Sequence, residues 1–411
     1  MSERGRCVAI ASRLIGDQHH GFKRACVRLA PTATCAARLL ANIPSIPYRF
    51  AFMAGGKRRV IDRRTLIAGG LVLGTTGTGW AASTARAKGR AIDAVALPGS
   101  FNGTLAYGRN GKVEHIRCVG LAEVEAGTPV TPQTRFKWGS ASKWVTSVAA
   151  LRLVEQGRLS LDAPITAYLP DFRRDTGERV LVGHLLSNTS GIPDLMSRRL
   201  SAEPALRTSN ASPAAIVERF GGGDLAFEPG QGWDYAALNW VIVAALFGRL
   251  TGEPLATLVA RTVFRPLGMR DTGFAQADQP PMPRLAAAYT GATPPVRKMR
   301  PVPSFVAASG NVAGTPADAL RAAHGIFHGD LITPASRRAL TALRWPAEEY
   351  ALGGRVHRID DEPWAWETGK VEGYRAHIAH RLSRSETIVI FDTTDISQSM
   401  IGDWVEAIAR A

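Results

Sequence analysis

The pattern of hydrophobic and polar positions over residues 88–411 changes from strand-like to helix-like and back to strand-like. Near the start, apolar segments on both sides of Asn110 and Gly111 predict a β-hairpin, because Asn-Gly favours a tight turn between extended segments. Further on, residues 144–154 and 240–250 are apolar on nearly every side, which is typical of buried helices. We therefore expect a core that contains two apolar helices.

The last part of the chain returns to the strand pattern. Residues 373–381 alternate, a turn follows at residues 383–384, and residues 387–391 are apolar, which together predict an antiparallel hairpin. Residues 400–410 have the pattern of an amphipathic helix. Strands at both ends with helices between them predict an α/β (α+β) fold. In it the first and last segments share one antiparallel sheet flanked by helices, and the mostly helical middle is an inserted subdomain.

Two stretches of the middle region have a distinct composition. Residues 196–227 are rich in alanine, arginine and glycine and predict a mostly helical insert. Residues 275–305 are rich in proline and show little periodicity, so they predict a long surface loop. Long loops of compact domains are often functional, and this loop is a candidate wall of a binding site.

Charge and composition divide the chain into a basic front and a nearly balanced body. Residues 1–87 hold 14 Lys and Arg against 3 Asp and Glu, so they account for +11 of the formal net charge of +15. The remaining +4 on residues 88–411 gives no reason to expect a nucleic-acid partner. A hydrophobic fraction of 45% with 21% charged residues predicts that this body is globular.

Residues 53–87 have the three-part pattern of a cleaved export signal: a basic region, an apolar and glycine-rich run, and a small-residue site that ends at Ala87. The arginine pair at 63–64, followed by Thr, Leu and Ile, resembles a twin-arginine signal. The apolar core is shorter than the about 20 residues of a spanning helix. We predict cleavage after Ala87 and a periplasmic or secreted product, with a retained membrane anchor as the alternative.

Residues 1–52 fit no part of that signal, because export signals begin at the N-terminus. Our hypothesis is that translation starts at Met53 and that residues 1–52 are a doubtful leader. Three of the four cysteines lie in this leader, and only Cys118 belongs to residues 88–411. Neither an intramolecular disulfide nor a cysteine metal site is therefore expected in the body, which we interpret as one domain, residues 88–411.

The candidate chemistry begins in the segment FKWGSASK, residues 136–143. Ser140 and Lys143 are three residues apart at the start of a predicted helix, so their side chains share one face. A lysine beside a serine hydroxyl can take its proton and make the oxygen a nucleophile. The alternative from these residues alone is a helix-capping serine followed by a solvated lysine.

Seven segments in order along residues 94–411 resemble the serine β-lactamase and penicillin-binding-protein superfamily, in particular its class C branch with the family VIII esterases and D-alanyl-D-alanine peptidases. The segments are FKWGSASK, EQGRLSLDAPITAYLPDF, LLSNTSGIPD, FEPGQGWDYAALNW, FRPLGMRDTGF, ASGNVAGTPAD and WETGKVEGY. The resemblance implies a β-lactamase/transpeptidase-like fold. It also implies an acyl-enzyme on Ser140, with Lys143 and Tyr235 as general base and proton relay.

The resemblance assigns two further parts of the site. The backbone N–H groups of Ser140 and Lys370 would form the oxyanion hole, where charge develops on the attacked carbonyl. The third motif of the family, a Lys or His followed by Thr and Gly, falls on Glu367, Thr368 and Gly369. These three residues are therefore expected to contact the substrate.

The chain departs from the family pattern at two positions. The asparagine of the second motif, Tyr-x-Asn, is replaced by alanine, and Asn239 two residues later is the candidate substitute. Glu367 stands where the family has a cation, and a carboxylate there should repel an acidic substrate. Trp364, Trp366 and Tyr374 around it predict an apolar or aromatic wall. The alternative for Glu367 is a solvent-facing strand residue.

These residues favour a serine hydrolase that acts on a neutral ester, amide or lactone. A β-lactamase or D-alanyl-D-alanine peptidase is the alternative, and a catalytically weak binding protein on the same fold is the second. The histidines show no metal-ligand spacing, so neither a metal nor another cofactor is implied. The expected partner is a small-molecule or peptide-like substrate, with no nucleic acid and no stable membrane span after signal cleavage; the oligomeric state is left open.

Overall fold

The computed structural model describes residues 50–54, 57–61, 83–276 and 279–411. They belong to two units, residues 1–82 and residues 83–411. In the first unit, strands β1 (Phe50–Ala54) and β2 (Lys57–Ile61) pair antiparallel. Most of the predicted leader, the arginine pair and the apolar run of the predicted export signal lie outside the described residues, so these assignments stay predictions.

The elements of the second unit alternate between strand-rich ends and a helix-rich middle. Its strands are β3 (Gly103–Arg109), β4 (Lys112–Val119), β5 (Leu121–Glu123), β6 (Thr128–Pro129), β7 (Phe136–Lys137), β8 (Gly273–Phe274), β9 (Ala288–Tyr289), β10 (Arg297–Lys298), β11 (Val312–Gly314), β12 (Arg355–Ile359), β13 (Glu362–Val371), β14 (Tyr374–Arg381) and β15 (Glu386–Asp392). Its helices are α1 (83–94), α2 (Ser142–Glu155), α3 (Arg174–Gly177), α4 (Val182–Ser187), α5 (Leu195–Ala202), α6 (Pro213–Phe220), α7 (Ala237–Thr251), α8 (Leu255–Val259), α9 (Ala307–Gly310), α10 (Pro316–Phe327), α11 (Pro334–Thr341) and α12 (Gln398–Arg410).

A six-stranded antiparallel sheet with the order β12-β13-β14-β15-β3-β4 forms the centre of this unit. β3 from the start of the body pairs with β15 from its end, so the predicted union of the first and last segments is confirmed. Asn110 and Gly111, between β3 and β4, have φ values of 51° and 72°. Positive φ at both turn residues is what a tight two-residue hairpin requires, and the predicted hairpin is present.

The sheet has an apolar core on each face, because successive side chains of a strand point to opposite sides. One face packs against α2, α7 and α10 in a large core that includes Ile378 of β14. The other face packs against α1 and α12 in a smaller core that includes the neighbouring Ala379. This division decides which residues of β13 can reach a site beside α2.

α7 is buried along most of its length, as the apolar pattern predicts. The backbone N–H of Ala237 donates to Asp194 Oδ2 at 2.7 Å, which satisfies one free donor at the helix start. The helix ends before Gly252, whose φ of 70° suits a glycine cap. In the described part of the chain, no single helix is long and apolar enough to cross a membrane; only Ala237–Thr251 joined with Leu255–Phe264, across a bend of 79°, meets that criterion.

The two compositionally distinct stretches also have the predicted character. Residues 195–220 contain α5, α6 and the 3-10 turn Pro204–Thr208, so the insert is helical. The described residues of the proline-rich loop contain the short β9–β10 pair, which lies against Gly373 in the β13–β14 turn. Arg207 of the insert lies 3.9 Å from Glu372 in the β13–β14 turn, so the insert reaches the end of β13.

α1 runs through the position at which cleavage is predicted. Lys88, the residue after that position, is buried, and its Nζ donates to the backbone oxygen of Ala409 in α12 at 2.5 Å. Ile92, one turn further along, packs in the smaller core. Cleavage after Ala87 would leave both contacts on the product, which is compatible with that prediction.

The packing of α12 can be tested with two adjacent residues. Ile401 is 0% exposed in the smaller core, whereas Met400 is 40% exposed. Replacing Ile401 with alanine leaves a cavity and should lower the free energy of unfolding by about 2–5 kcal/mol in urea titrations. The matched variant Met400→Ala should change it by less than about 0.5 kcal/mol. Equal losses from the two substitutions would contradict this packing.

Candidate active site

Ser140 lies in a 3-10 turn, Gly139–Ala141, that joins β7 to α2. The residues before it anchor this turn on the sheet: Phe136 and Trp138 stack on Phe391 of β15, with ring centroids 5.4 and 6.4 Å away. Ser140 itself is half-buried at the edge of the core. The hydroxyl group is therefore held by a rigid aromatic base and remains open on one side.

Lys143, in the first turn of α2, points back to Ser140. Its Nζ donates to Ser140 Oγ at 3.0 Å and to the backbone oxygen of Ser309 at 3.1 Å. The side chain is only 3% exposed, and this desolvation lowers the pKa of Lys143 to about 7. A lysine that is partly neutral near pH 7 and touches a serine hydroxyl can accept its proton. The alternative of a solvated lysine is wrong.

Tyr235, from the loop before α7, completes this cluster. Lys143 Nζ lies 4.7 Å from the centre of its ring, and its hydroxyl is within hydrogen-bonding reach of Ser140. Although the residue is 39% exposed, its hydroxyl group is crowded by the site: desolvation and the nearby Glu367 raise the pKa of Tyr235 well above its usual range. The phenol therefore keeps its proton at neutral pH and can donate it. The structure brings Ser140 and Lys143 together, as their spacing predicts, and places Tyr235 beside them, as the resemblance implies.

The turn that carries Ser140 makes an unusually close backbone approach to β13. A Cβ on Gly139 would lie 2.8 Å from the backbone nitrogen of Lys370, and one on Gly369 would lie 2.0 Å from the backbone oxygen of Trp138. Gly139 also has a φ of 53°, which favours glycine. The turn that carries Ser140 therefore lies against the backbone of Lys370, and the oxyanion hole formed by the N–H groups of Ser140 and Lys370 stays a prediction.

Glu367 is inside the site and is only 1% exposed, so the alternative of a solvent-facing strand residue is wrong. Its Oε2 accepts from Arg355 Nη1 at 3.4 Å, and its Oε1 has no hydrogen-bond partner in the structure. Desolvation raises the pKa of Glu367 to about 7, against the opposing effects of Arg355 and Lys143. A buried carboxyl group with one free oxygen and a pKa near neutrality is unusual for a residue with a purely structural role.

Arg355 and Tyr350 are residues of this cluster that no sequence motif marks. Arg355 comes from β12, and the centre of its guanidinium group lies 5.3 Å from the ring centre of Tyr350. Tyr350 is fully buried and makes edge-on ring contacts with Trp233 and Tyr235 at 5.5 and 6.2 Å. Because the third motif lacks its cation, a cation from another element could be expected in the site. The pairing of β12 with β13 that brings Arg355 there is not visible in the sequence.

The predicted wall is wrong for Trp364 and Trp366, because these residues alternate with Glu367 along β13 and lie on the opposite face of the sheet. There Trp366 packs against His357 and His377, with centroid distances of 4.8 and 4.1 Å. The same alternation turns the side chain of Thr368 away from Glu367. Tyr374, in β14, is buried beside Lys137. The aromatic rings that lie beside Lys143 instead belong to Tyr235 and Trp240.

Asn239 is also not placed for the predicted substrate contact. It is 1% exposed, its Oδ1 accepts from Ser190 Oγ at 2.7 Å, and its Nδ2 donates to Asn188 Oδ1 at 3.4 Å. α7 begins at Ala237, so Asn239 falls on the inward side of its first turn. Its amide supports the segment after α4 from within the core. Of the expected substrate residues, Glu367 and Gly369 lie on the Ser140 side.

No group of three or more His, Cys, Asp or Glu residues in the described part of the chain could hold a metal ion. Two histidines approach closely, since His328 Nδ1 and His380 Nε2 are 2.8 Å apart, but that is a direct hydrogen bond between the rings. The other ring nitrogen of His380 bonds to Thr387 Oγ1 at 2.7 Å.

Comparison with known families decides the relationship of this chain. The family model described as Beta-lactamase matches residues 89–409. The chain belongs to the Beta-lactamase family. This confirms the resemblance to the serine β-lactamase and penicillin-binding-protein superfamily, which the ordered motifs indicate.

Two relatives share part of the sequence. Esterase EstB from Burkholderia gladioli is 36% identical over 203 residues, which cover 47% of this chain and 51% of that protein. A putative penicillin-binding protein, PbpX, from Bacillus subtilis (strain 168) is 29% identical over 174 residues, which cover 42% of this chain and 41% of PbpX. The chain thus spans about half or less of the length of the curated relatives it matches.

Solved structures share the fold. D-amino acid amidase from Ochrobactrum anthropi SV3 has a TM-score of 0.67 at 20% identity, covering 80% of this chain and 98% of the amidase. The octameric penicillin-binding protein homologue from Pyrococcus abyssi has a TM-score of 0.65 at 21% identity, covering 75% of this chain and 74% of the homologue. The predicted β-lactamase/transpeptidase-like fold is confirmed by these likenesses.

The close approach at Gly369 yields a test of the site geometry. Gly369→Ala places a Cβ in collision with the backbone oxygen of Trp138, which must move the Ser140 turn away from β13. A displacement of about 1 Å should slow labelling of Ser140 by a fluorophosphonate about 100-fold. Intact-mass spectrometry measures this rate. Gly310→Ala is the control, since its Cβ would meet nothing within 4 Å; an equal loss there would refute the geometric explanation.

The lowered pKa of Lys143 predicts how labelling depends on pH. The base must be neutral to accept a proton, so the rate should rise with pH through a midpoint near 7, the value to which desolvation brings Lys143. The labelling rate should be measured from pH 5 to 10 at constant ionic strength. A midpoint near the ordinary lysine value of 10.5 would show that Lys143 is not the group that controls labelling.

Proposed function

We propose that this protein is a serine hydrolase that forms an acyl-enzyme on Ser140. The observation that carries this proposal is the 3.0 Å contact between Lys143 Nζ and Ser140 Oγ, with the Tyr235 hydroxyl group beside them. Similarity to a protein named an esterase, and a fold shared with a D-amino acid amidase, support the same reaction class. All three residues lie within the part of the chain that the family model matches, residues 89–409.

In the proposed reaction, neutral Lys143 takes the proton of Ser140 while Ser140 Oγ bonds to the carbonyl carbon of the substrate. The carbonyl oxygen becomes an oxyanion and accepts from the backbone N–H groups of Ser140 and Lys370. As the bond to the leaving group breaks, Tyr235 and Lys143 return a proton to the departing alcohol or amine. Water then attacks the acyl-enzyme, and Lys143 accepts its proton. As the bond between the acyl group and Ser140 Oγ breaks, Lys143 returns that proton to Ser140 Oγ and the acid product leaves.

We favour a neutral ester, amide or lactone as the substrate. Glu367 stands where members of the family that bind an acid have a cation, and a carboxylate repels another carboxylate at short range. Arg355 is the observation that favours the alternative, a β-lactam or a peptide with a C-terminal carboxylate, because its guanidinium group lies 3.4 Å from Glu367 and is partly exposed. A binding protein that has lost turnover is the second alternative.

Export to the periplasm or the medium is part of the proposal and rests on the sequence of residues 53–87. The structure describes only short pieces of that segment, so the support is the three-part signal pattern itself. N-terminal sequencing of the mature protein from its host tests this directly. We expect the mature chain to begin at Lys88 and not at Met1 or Met53.

The central test compares Ser140 with Ser147, which lies seven residues later in α2. Ser140→Ala should abolish both labelling by a fluorophosphonate and turnover of p-nitrophenyl esters, because the nucleophilic oxygen is removed. Ser147→Ala, which removes a buried hydroxyl group with no hydrogen-bond partner in the structure, should keep both activities. Absence of labelling in the folded wild-type protein would favour the binding-protein alternative.

The same protein should be tested for substrate class. We expect kcat/KM for p-nitrophenyl acetate and butyrate to exceed that for a chromogenic cephalosporin, because the buried carboxylate of Glu367 would repel the carboxylate of the cephalosporin from beneath the site. A larger kcat/KM for the cephalosporin would show that Arg355 outweighs Glu367, and the neutral-substrate proposal would be abandoned.

A further inference from the structure

Glu367 is a charged group that the proposed reaction leaves without a task. The family places a cation at this position of the third motif, whereas here the side chain is an acid enclosed between β12, β13 and the Lys143 region. Its one ion pair in the structure is with Arg355 at 3.4 Å, and the other carboxyl oxygen has no partner. Leaving a buried polar atom unpaired costs about 1–3 kcal/mol, so the arrangement calls for an explanation.

Direct contact with the substrate does not explain it. The residue is 1% exposed, and its unpartnered oxygen is shielded from solvent. A substrate amine could reach that oxygen only after displacement of the surrounding side chains. The carboxylate faces the partly exposed Arg355. The other charged side chain of the site is Lys143, which is buried.

The surroundings of Lys143 can be described group by group. From its own turn it meets Ser140, and from the α9 segment it meets the backbone oxygen of Ser309. The neutral rings of Tyr235 and Trp240 lie 4.7 and 5.6 Å from its Nζ. From the sheet it experiences two charges, the carboxylate of Glu367 and the more weakly acting guanidinium of Arg355.

Glu367 is on the same face of β13 as Gly369, whose backbone meets the Ser140 turn, so its carboxylate lies on the side of the sheet where Lys143 is buried. From there it raises the pKa of Lys143. The two groups do not form a direct ion pair among the described contacts, so their interaction acts through the low-dielectric interior of the site. When Lys143 takes the Ser140 proton, it becomes an ammonium ion in a place that otherwise disfavours charge. A carboxylate nearby stabilises that ion. Desolvation raises the pKa of Glu367 to about 7 and Arg355 opposes this rise, so the carboxylate form predominates above neutral pH.

We propose that Glu367, held by Arg355, is a positioning residue that stabilises the ammonium form of Lys143 generated when Ser140 attacks the substrate. In that step the proton moves from Ser140 Oγ to Lys143 Nζ and not to Glu367, which contributes only its charge. This inference rests on the proposed function of Ser140 and Lys143. It gives the departure from the family's third motif a role inside the catalytic site and not at the substrate.

The test is the pH dependence of Ser140 labelling in Glu367→Gln, which removes the charge and keeps the shape. Without the carboxylate, Lys143 is a weaker base, so the acid limb of the profile should move to lower pH by about one unit. The plateau rate should fall about tenfold, because the ammonium ion is less stabilised. Glu367→Thr should shift the limb in the same direction, whereas Glu367→Asp, which keeps the charge, should leave it near the wild-type position.

The control is Glu362→Gln, at the other end of β13. Glu362 pairs with Arg381 and Ser383 and does not act on Lys143, so both the limb and the plateau should remain as in the wild type. Circular dichroism and the unfolding temperature establish that each variant is folded. A shift in the Glu362 variant as large as that in the Glu367 variant would show a general effect of surface charge and overturn the inference.

Two other outcomes are decisive. If Glu367→Gln is folded and labelled with an unchanged acid limb, while KM rises for amine-bearing esters and not for neutral ones, Glu367 binds substrate and the inference is wrong. If the folded wild-type protein is not labelled on Ser140 at any pH, the proposed function itself fails. The first result leaves the serine hydrolase intact, so the two failures are distinguishable.

Discussion

The contact on which the whole site depends is the backbone approach between the Ser140 turn and β13. Two glycines permit it, because a Cβ on either Gly139 or Gly369 would collide with the facing main chain. β12 pairs with β13 only as far as Trp366, so the following residues have a free edge beside the turn. The same sheet continues through β14 and β15 to β3, which pairs with β15. The aromatic stacking of Phe136 and Trp138 then fixes the turn against it.

Exclusion of water from this contact sets the chemistry. Burial is the largest influence on both groups: it lowers the pKa of Lys143 and raises that of Glu367. An amine and an acid whose ordinary pKa values are 10.5 and 4.5 therefore both come to about 7. Each group partly offsets the shift of the other, and Arg355 acts on both. The site is thus an electrostatic unit whose members cannot be interpreted one at a time. The same burial keeps Tyr235 protonated and available as a donor.

The charge arrangement separates this protein from the pattern of its family without removing the reacting groups. Ser140, Lys143 and Tyr235 are in contact, whereas the group beside them has the opposite sign to the usual one. Arg355 restores a cation from the neighbouring strand, one that is partly exposed while Glu367 is enclosed. The position of these two charges, one inside and one near the opening, is the physical basis for expecting different behaviour toward neutral and acidic substrates.

Local patterns in the sequence determined the two hairpins, the buried helices α2 and α7, and the pairing of Ser140 with Lys143, because each depends on neighbours a few residues apart. Strand alternation alone also places Glu367 and Trp366 on opposite faces of β13, so the two side chains cannot line one wall of the site. Only the tertiary structure decided that Asn239 turns into the core and that Tyr350 and Arg355 join the site. Those outcomes depend on where α7 begins and on how β12 pairs with β13, and such long-range register leaves no mark on a single sequence.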